Sequence, residues 1–184
     1  MIQPWPLIES REIGDYHIFR LRHDRKLSPR TGEPHGFYVL DSSDWVNVIA
    51  LTPQRELVMV EQFRHGTNTV ELEVPGGIAD AEDASPLATG IRELREETGY
   101  EGVRARLLAD IAPNPAIMSN TCHIVCIEQC AKRHELKLDH AEDLATRLVP
   151  VADIPGLVAA GKIRHSIVLV SLYFLDLWQR GLKQ

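Results

Sequence analysis

Ser85-Pro-Leu-Ala-Thr-Gly-Ile-Arg92-Glu93-Leu94-Arg95-Glu96-Glu97-Thr98-Gly99-Tyr100, with Gly76-Gly77 a short way upstream, carries the punctuation of a helix at both ends. Serine is a good N-cap, and proline suits the first helical position because its missing N–H would have no partner there. Glycine stops a helix by entering the left-handed region. The stretch therefore predicts a helix over residues 86–98. Leu87, Ile91 and Leu94 recur as one apolar stripe expected to lie on a sheet. Glu93, Glu96 and Glu97, at i, i+3 and i+4, share a second face expected to point away from it. Three carboxylates so close repel one another, and Arg92, four residues before Glu96, cannot neutralise them all. For an arbitrary helix a solvated acidic face would be the plain explanation. The alternative is a cation site, for which an all-oxygen donor set suits Mg²⁺ or Mn²⁺ better than zinc.

Outward from this helix, the first half of the chain reads as strands. Residues 16–22 and 36–40 alternate polar and apolar, with Ser28-Pro-Arg-Thr-Gly-Glu-Pro34 as a hairpin turn between them. Trp45-Val-Asn-Val-Ile-Ala-Leu51 and Glu56-Leu-Val-Met-Val-Glu-Gln-Phe63 form a second hairpin across Thr52-Pro-Gln-Arg55, so four strands are expected before any helix. After the helix come a strand near 103–111, a proline-rich loop over 112–120, a strand bearing the cysteines and a last strand at 146–151. Closing helices are expected over 155–160 and 166–179, the second apolar almost all round and hence buried. Cys122, Cys126 and Cys130 recur every four residues, which on a strand sets neighbours roughly 13 Å apart, too far to share a metal. They are expected as free, buried thiols.

With 184 residues, 44% of them hydrophobic and 25% charged, the chain can bury one sizeable core. A formal net charge of -6 argues against a general nucleic-acid binder. Apolar runs are too short for a membrane span, and MIQPWPLIES lacks the charged and apolar regions of a signal peptide, so the expected compartment is the cytoplasm. The charge is also localised. Residues 71–97 hold eight acids and two bases, so the whole formal excess falls there. An anionic substrate should be repelled from that segment until divalent cations bind.

Gly77, the helix caps and the order Arg-Glu-Leu-x-Glu-Glu-x-Gly-Tyr at 92–100 resemble the Nudix box, the loop–helix–loop of Nudix hydrolases. The resemblance implies an α/β (α+β) chain with the Nudix fold: an α/β/α sandwich with a mixed central sheet, plus an N-terminal antiparallel strand region. It also implies divalent cations bound at the box and cleavage of a nucleoside diphosphate linked to another group. By that resemblance Glu93 and Glu97 are the principal metal ligands and Glu96 a further one, with the Gly76 carbonyl completing the site. One departure stands out. The family spaces its box G-x5-E-x7-R-E, whereas this chain has Gly77-x5-Asp83-x8-Arg92, one residue longer. Counted back from Arg92, the family's glutamate falls on Ala84, so either Glu82 or Asp83 replaces that carboxylate or it is missing.

The likeness extends over residues 45–178. Val60-Glu-Gln-Phe-Arg-His65 and Glu71-Leu-Glu-Val-Pro-Gly-Gly77 resemble the two strands before the box in the ADP-ribose and nucleotide-sugar pyrophosphatase branch. That likeness implies that Arg64 grips a substrate phosphate, the alternative being a surface charge. Strand alternation puts Glu71 and Glu73 on one face, so at least one is expected near the metals, with Glu73 a substrate-binding candidate. His65 is expected to be structural. Pro115 resembles the proline marker of this branch, and Met118, Ser119 and Asn120 beside it line the pocket or serve packing and turns. In the acidic loop Asp139-His-Ala-Glu-Asp143, Glu142 matches the general base of the relatives, against the alternative of a solvated loop.

Residues 1–42 are expected to form a β region for dimerisation and substrate capping, with a hydrolase domain over 43–184. Tyr16, Phe19, Phe37, Tyr38 and Trp45 are core, interface or base-stacking candidates. The function expected from the resemblance is metal-dependent hydrolysis of ADP-ribose or a nucleoside diphosphate sugar to a nucleoside monophosphate and a sugar phosphate, by a homodimer. Two alternatives are a non-catalytic nucleotide-sugar sensor, suggested by Ala84, and a nucleoside triphosphate pyrophosphatase.

Overall fold

A computed structural model describes residues 1–138 and 143–182, which fall into two compact units. The first comprises Met1–Asp44 and Ala112–Thr121. Its three strands, β1 (Leu7–Asp15), β2 (Arg20–Leu27) and β3 (Pro34–Asp41), form an antiparallel sheet in that order. The β2–β3 hairpin is the expected one, but β2 starts at Arg20 and not at residue 16. Residues 16–19 form the turn from β1: the Tyr16 amide donates to the Phe19 carbonyl, and His17 takes a left-handed φ of 66°. The sequence of β1, LIESREIGD, has no clean alternation because most of its side chains reach solvent on both faces. The segment 112–121 is tied to β3 within the same unit, through Leu40 N–H to the Ile117 carbonyl and Ser119 Oγ to Asp41 Oδ1 at 2.5 Å. Tyr16, Phe37 and Tyr38 are exposed, so a core role is excluded for these three within the chain.

The second unit, Trp45–Ile111 with Cys122–Gln184, is built on a mixed sheet. Its path runs through β12 (Leu144–Pro150), β5 (Glu56–Arg64), β4 (Trp45–Leu51), β10 (Cys122–Glu128) and β9 (Arg104–Ile111). Two short strands join it: β6 (Thr69–Glu73) pairs β5, and β7 (Gly76–Ile78) pairs β4. The β4–β10 pair is parallel and the other pairs are antiparallel. Elsewhere β8 (Tyr100–Glu101) pairs β11 (Ala131–Lys132).

Alternation along the strands feeds a separate apolar cluster on each face of the sheet. Val46, Val48, Ala50 and Val58 pack with Leu94 of α1 (Pro86–Thr98) on one side. Ile49, Leu51, Leu57 and Met59 pack on the other with Ile154 of α2 (Ile154–Ala159) and with Val168, Leu172 and Leu175 of α3 (Ser166–Gln179). The result is the α/β/α sandwich that the resemblance implies. A buried polar link crosses the second interface: Asn47 Nδ2 donates to Ser171 Oγ at 3.1 Å, and that hydroxyl donates to the Ile167 carbonyl. The fully buried residues of α3, Val168, Ser171, Leu172 and Leu175, share one face, and Tyr173 is exposed, so the expected all-round burial is corrected.

Helix α1 begins and ends where its sequence says. Ser85 Oγ accepts from the Ala88 N–H at 3.2 Å, and Gly99, at φ 73°, donates to the Arg95 carbonyl. Its orientation differs from the expected one. Leu94 is buried but Ile91 is 43% exposed, and the covered face includes Gly90, Glu93 and Glu97. Gly90 explains the difference: its α-carbon sits against Val46 and Val125, where an added Cβ would come within 3.3 Å, so the helix lies on the sheet along its side-chain-free position. Glu93 and Glu97 then fall at the helix–sheet boundary and not on the solvent side.

Candidate active site

Two glutamates of α1 are held against the glycine strand β7. Glu97 is 3% exposed, and its Oε2 accepts from the Gly76 N–H at 3.1 Å. Glu93 is 8% exposed and leans on Gly77, where an added Cβ would approach Glu93 Cδ to 2.6 Å. Glycine at 77 is thus a requirement of close approach. Two buried carboxylates one helical turn apart are costly without cations.

Arg92 supplies one cation. Its Nη1 donates to Glu93 Oε1 at 2.9 Å and to Glu96 Oε2 at 3.2 Å, while Nη2 also reaches the Ile78 carbonyl at 3.1 Å and Asp80 at 3.3 Å. Asp83 takes the rest of the guanidinium, Oδ1 from Nε at 3.2 Å and Oδ2 from Nη2 at 2.8 Å. The hydrogen bonds from Arg92 outweigh burial and hold the Asp83 carboxyl down at about 2, and Asp83 in turn raises the Arg92 pKa. Glu82 and Ala84 are exposed, so of the two acids beside Ala84 it is Asp83 that faces Arg92 across the box. Glu96 also meets Lys137 Nζ at 3.8 Å.

Among the described residues no three acidic, histidine or cysteine side chains already converge as a metal cage. The donor set nevertheless fits a hard divalent cation. Glu93 and Glu97 are buried on adjacent turns beside a side-chain-free glycine strand, Glu96 follows at the rim, and one arginine is shared among Asp80, Asp83, Glu93 and Glu96. The Gly76 N–H bonds Glu97, which sets the Gly76 peptide beside this pair.

Beside β7 lies a second polar array. Val58 packs under α1, and alternation carries Val60, Gln62 and Arg64 to the same side of the sheet. Register then places Glu73 opposite Val60 and Glu71 opposite Gln62 on that side. Glu73, 2% exposed, accepts from Arg64 at both oxygens, from Nε at 2.9 Å and Nη2 at 2.7 Å, and His165 Nδ1 meets Oε2 at 2.9 Å. Burial raises the Glu73 pKa, but the bonds from Arg64 and His165 prevail and bring it to about 2. Glu71 is gripped by Arg164 at 2.5 Å, with a bond from Thr69 as well, and these lower its pKa. Three of the eight acids of residues 71–97, Glu71, Glu73 and Glu96, therefore meet bases from outside that segment.

The remaining expected residues fall as follows. Met118, half-buried, and Asn120, whose Nδ2 donates to the Ser43 carbonyl at 3.3 Å, belong to the first unit. Glu142 lies outside the described residues. Phe63 and His65 stack edge to face, in line with a structural role for His65. Arg164 and His165 were not expected, since some ninety residues separate them from β6 and no local period marks them.

A family model described as the NUDIX domain matches residues 43–169. Over 96% of this chain and 94% of theirs or 86% of theirs, respectively, the sequence is 30% identical to a methanol dehydrogenase activator of Bacillus methanolicus and 25% identical to an ADP-ribose pyrophosphatase of Mycobacterium tuberculosis. A mouse ADP-sugar pyrophosphatase is 37% identical over 55% of this chain and 44% of its own. A crystal structure of an ADP compounds hydrolase superposes with a TM-score of 0.87 at 18% identity, covering 99% of this chain and 97% of that one, a likeness of fold. The chain belongs to the Nudix family, as a hydrolase on the side of the ADP-ribose and ADP-sugar pyrophosphatases.

Proposed function

We propose that this enzyme hydrolyses the diphosphate linkage of ADP-ribose or a related nucleoside diphosphate sugar, with Mg²⁺ as the working ion and Mn²⁺ able to replace it. Water forms a P–O bond at one phosphorus and the bridging P–O bond breaks, leaving a nucleoside monophosphate and a sugar phosphate. The observation that carries this reading is the burial of Glu93 and Glu97 against Gly76–Gly77. The pyrophosphatase names of the relatives suggest the substrate class.

Glu93, Glu96, Glu97 and the Gly76 carbonyl would hold the metal, which when bound neutralises diphosphate charge and acidifies water. Arg92, fixed by Asp83, keeps Glu93 and Glu96 from splaying apart. Arg64 offers its solvent-facing edge to a substrate phosphate while Glu73 holds the other edge. Glu142 receives the proton of the attacking water. Substrate contacts are assigned to Met118 and Asn120 on the resemblance of their loop. Residues 1–42 are assigned to homodimerisation and substrate capping, a reading supported by the exposed Leu7, Ile8, Ile13, Phe37 and Tyr38. The buried, unbridged Cys126 and Cys130 suit a reducing compartment such as the cytoplasm. Among the described residues no helix is long and apolar enough to cross a membrane. The sensor alternative, motivated by Ala84, is less favoured, since Asp83 beside it sets a carboxylate on Arg92. A phosphatase-coupled phosphate-release assay across ADP-ribose and nucleotide sugars with Mg²⁺ tests the proposal. Turnover with sugar phosphate as product is expected, and pyrophosphate release from a nucleoside triphosphate would instead indicate the other hydrolase class.

A further inference from the structure

Arg164-His165, the dipeptide that leads into α3, sends its two side chains to two carboxylates of β6. Arg164 grips Glu71 through Nε and Nη2, and its Nη2 also donates to Thr69 Oγ1 at 2.8 Å. His165 sits at the N-cap of α3 but makes no side-chain cap bond there; its ring turns to Glu73 instead. A carboxylate at this site only accepts, so His165 Nδ1 carries the proton and donates it.

We propose that His165 is a positioning residue for substrate binding: through Glu73 it fixes the plane in which Arg64 meets the substrate diphosphate. The proposal rests on the reading of Arg64 given above. Glu73 is shut from solvent, while the Arg64 side chain remains 42% exposed. The guanidinium is thus anchored to Glu73 through Nε and Nη2 while the side chain still reaches solvent. Glu73 Oε2 takes bonds from both Arg64 Nη2 and His165 Nδ1, so His165 sets the rotation of the carboxylate on which the bidentate Arg64 pair depends. Arg64 is the last residue of β5 and is followed by a turn in which Asn68 is left-handed, so the backbone beyond it offers no further strand pairing to hold the side chain. Arg164 pins the segment that carries His165. No other basic side chain among the described residues is recorded on Glu73.

Steady-state kinetics with Mg²⁺ and ADP-ribose would compare His165→Ala, His165→Asn, Arg64→Ala and the Arg64→Ala/His165→Ala double variant. His165→Ala should raise KM about 5–20-fold with kcat changed less than about twofold, the signature of lost uniform binding. His165→Asn, whose amide can replace the Nδ1 donor, should recover most of that loss. In the Arg64→Ala background, removing His165 should add nothing. A raised KM in Arg64→Ala together with an additive or absent effect of His165→Ala overturns the positioning role alone. An unaltered KM in Arg64→Ala overturns the reading of Arg64 and this proposal with it. Hydrogen exchange of the Arg64 Nε–H by NMR needs no substrate, and its signal is assigned by its disappearance in Arg64→Ala. Protection should fall at least about tenfold in His165→Ala and return in His165→Asn. Unaltered protection overturns the proposal even if the wild type turns over no nucleotide sugar.

Discussion

Asp83 grips Arg92 with both carboxylate oxygens, at 3.2 Å and 2.8 Å, from a position one residue further from that arginine than the family spacing provides. The bidentate pair turns Arg92 so that its Nη1 lies between Glu93 and Glu96. Without Asp83 the arginine is free to neutralise a metal ligand outright. Asp83→Ala is therefore expected to weaken divalent-ion activation by about 10–100-fold, as losses of outer-shell partners commonly do. A Mg²⁺ titration of kcat/KM checks this, and an unshifted midpoint would remove Asp83 from the box.

Gly77 makes an equally specific demand. A methyl group there would run into the Glu93 carboxylate, so Gly77→Ala should leave the fold intact by circular dichroism yet lower kcat/KM by about 10²-fold through displaced Glu93. Near-normal activity in the folded variant would mean that the Gly77–Glu93 contact does not set the ligand geometry.

Acid should destabilise the chain through Glu73. Its folded-state pKa is depressed from 4.5 to about 2, so its contribution is fully present above pH 4.5 and is lost as pH falls towards 2. For a side chain this buried the shift corresponds to on the order of 3 kcal/mol. Urea unfolding of wild type and Glu73→Gln at pH 6 and pH 3 reads it out. The gap between the two proteins should shrink on acidification, and a constant gap would contradict the ion-pair assignment.

Cys126 and Cys130 have thiols pushed up to about 12 by burial, with a smaller contribution from the Glu128 charge at Cys126. At pH 8 neither should react with a disulfide reagent in the native protein, and both should react on unfolding. Peptide mapping after labelling checks it; rapid native labelling of either would show that this strand end opens locally.

Much of the fold was legible because its signals are local. Ser85, Pro86 and Gly99 bound α1 to the residue, and β4 and α3 have the expected limits, since caps and apolar runs are written within a few positions. The strand β1 was illegible because a strand whose side chains reach solvent on both faces carries no alternation. The facing of α1 departs from its apolar stripe for a tertiary reason: Gly90, silent in an apolar count, determines which side lies on the sheet. At the site the three glutamates and Arg64 could be read from motif order. The partnerships of Glu71 and Glu73 with Arg164 and His165 could not, because they join residues far apart in sequence and depend on the α3 segment folding back over β6.

The most direct test compares wild type and Glu97→Gln on ADP-ribose with Mg²⁺ in ¹⁸O-water, with products identified by mass spectrometry. The Glu93–Glu97 site predicts AMP and ribose 5-phosphate from the wild type, one of them carrying a single ¹⁸O, and a kcat at least about 10³-fold lower in the variant. Wild-type rates in Glu97→Gln would contradict it.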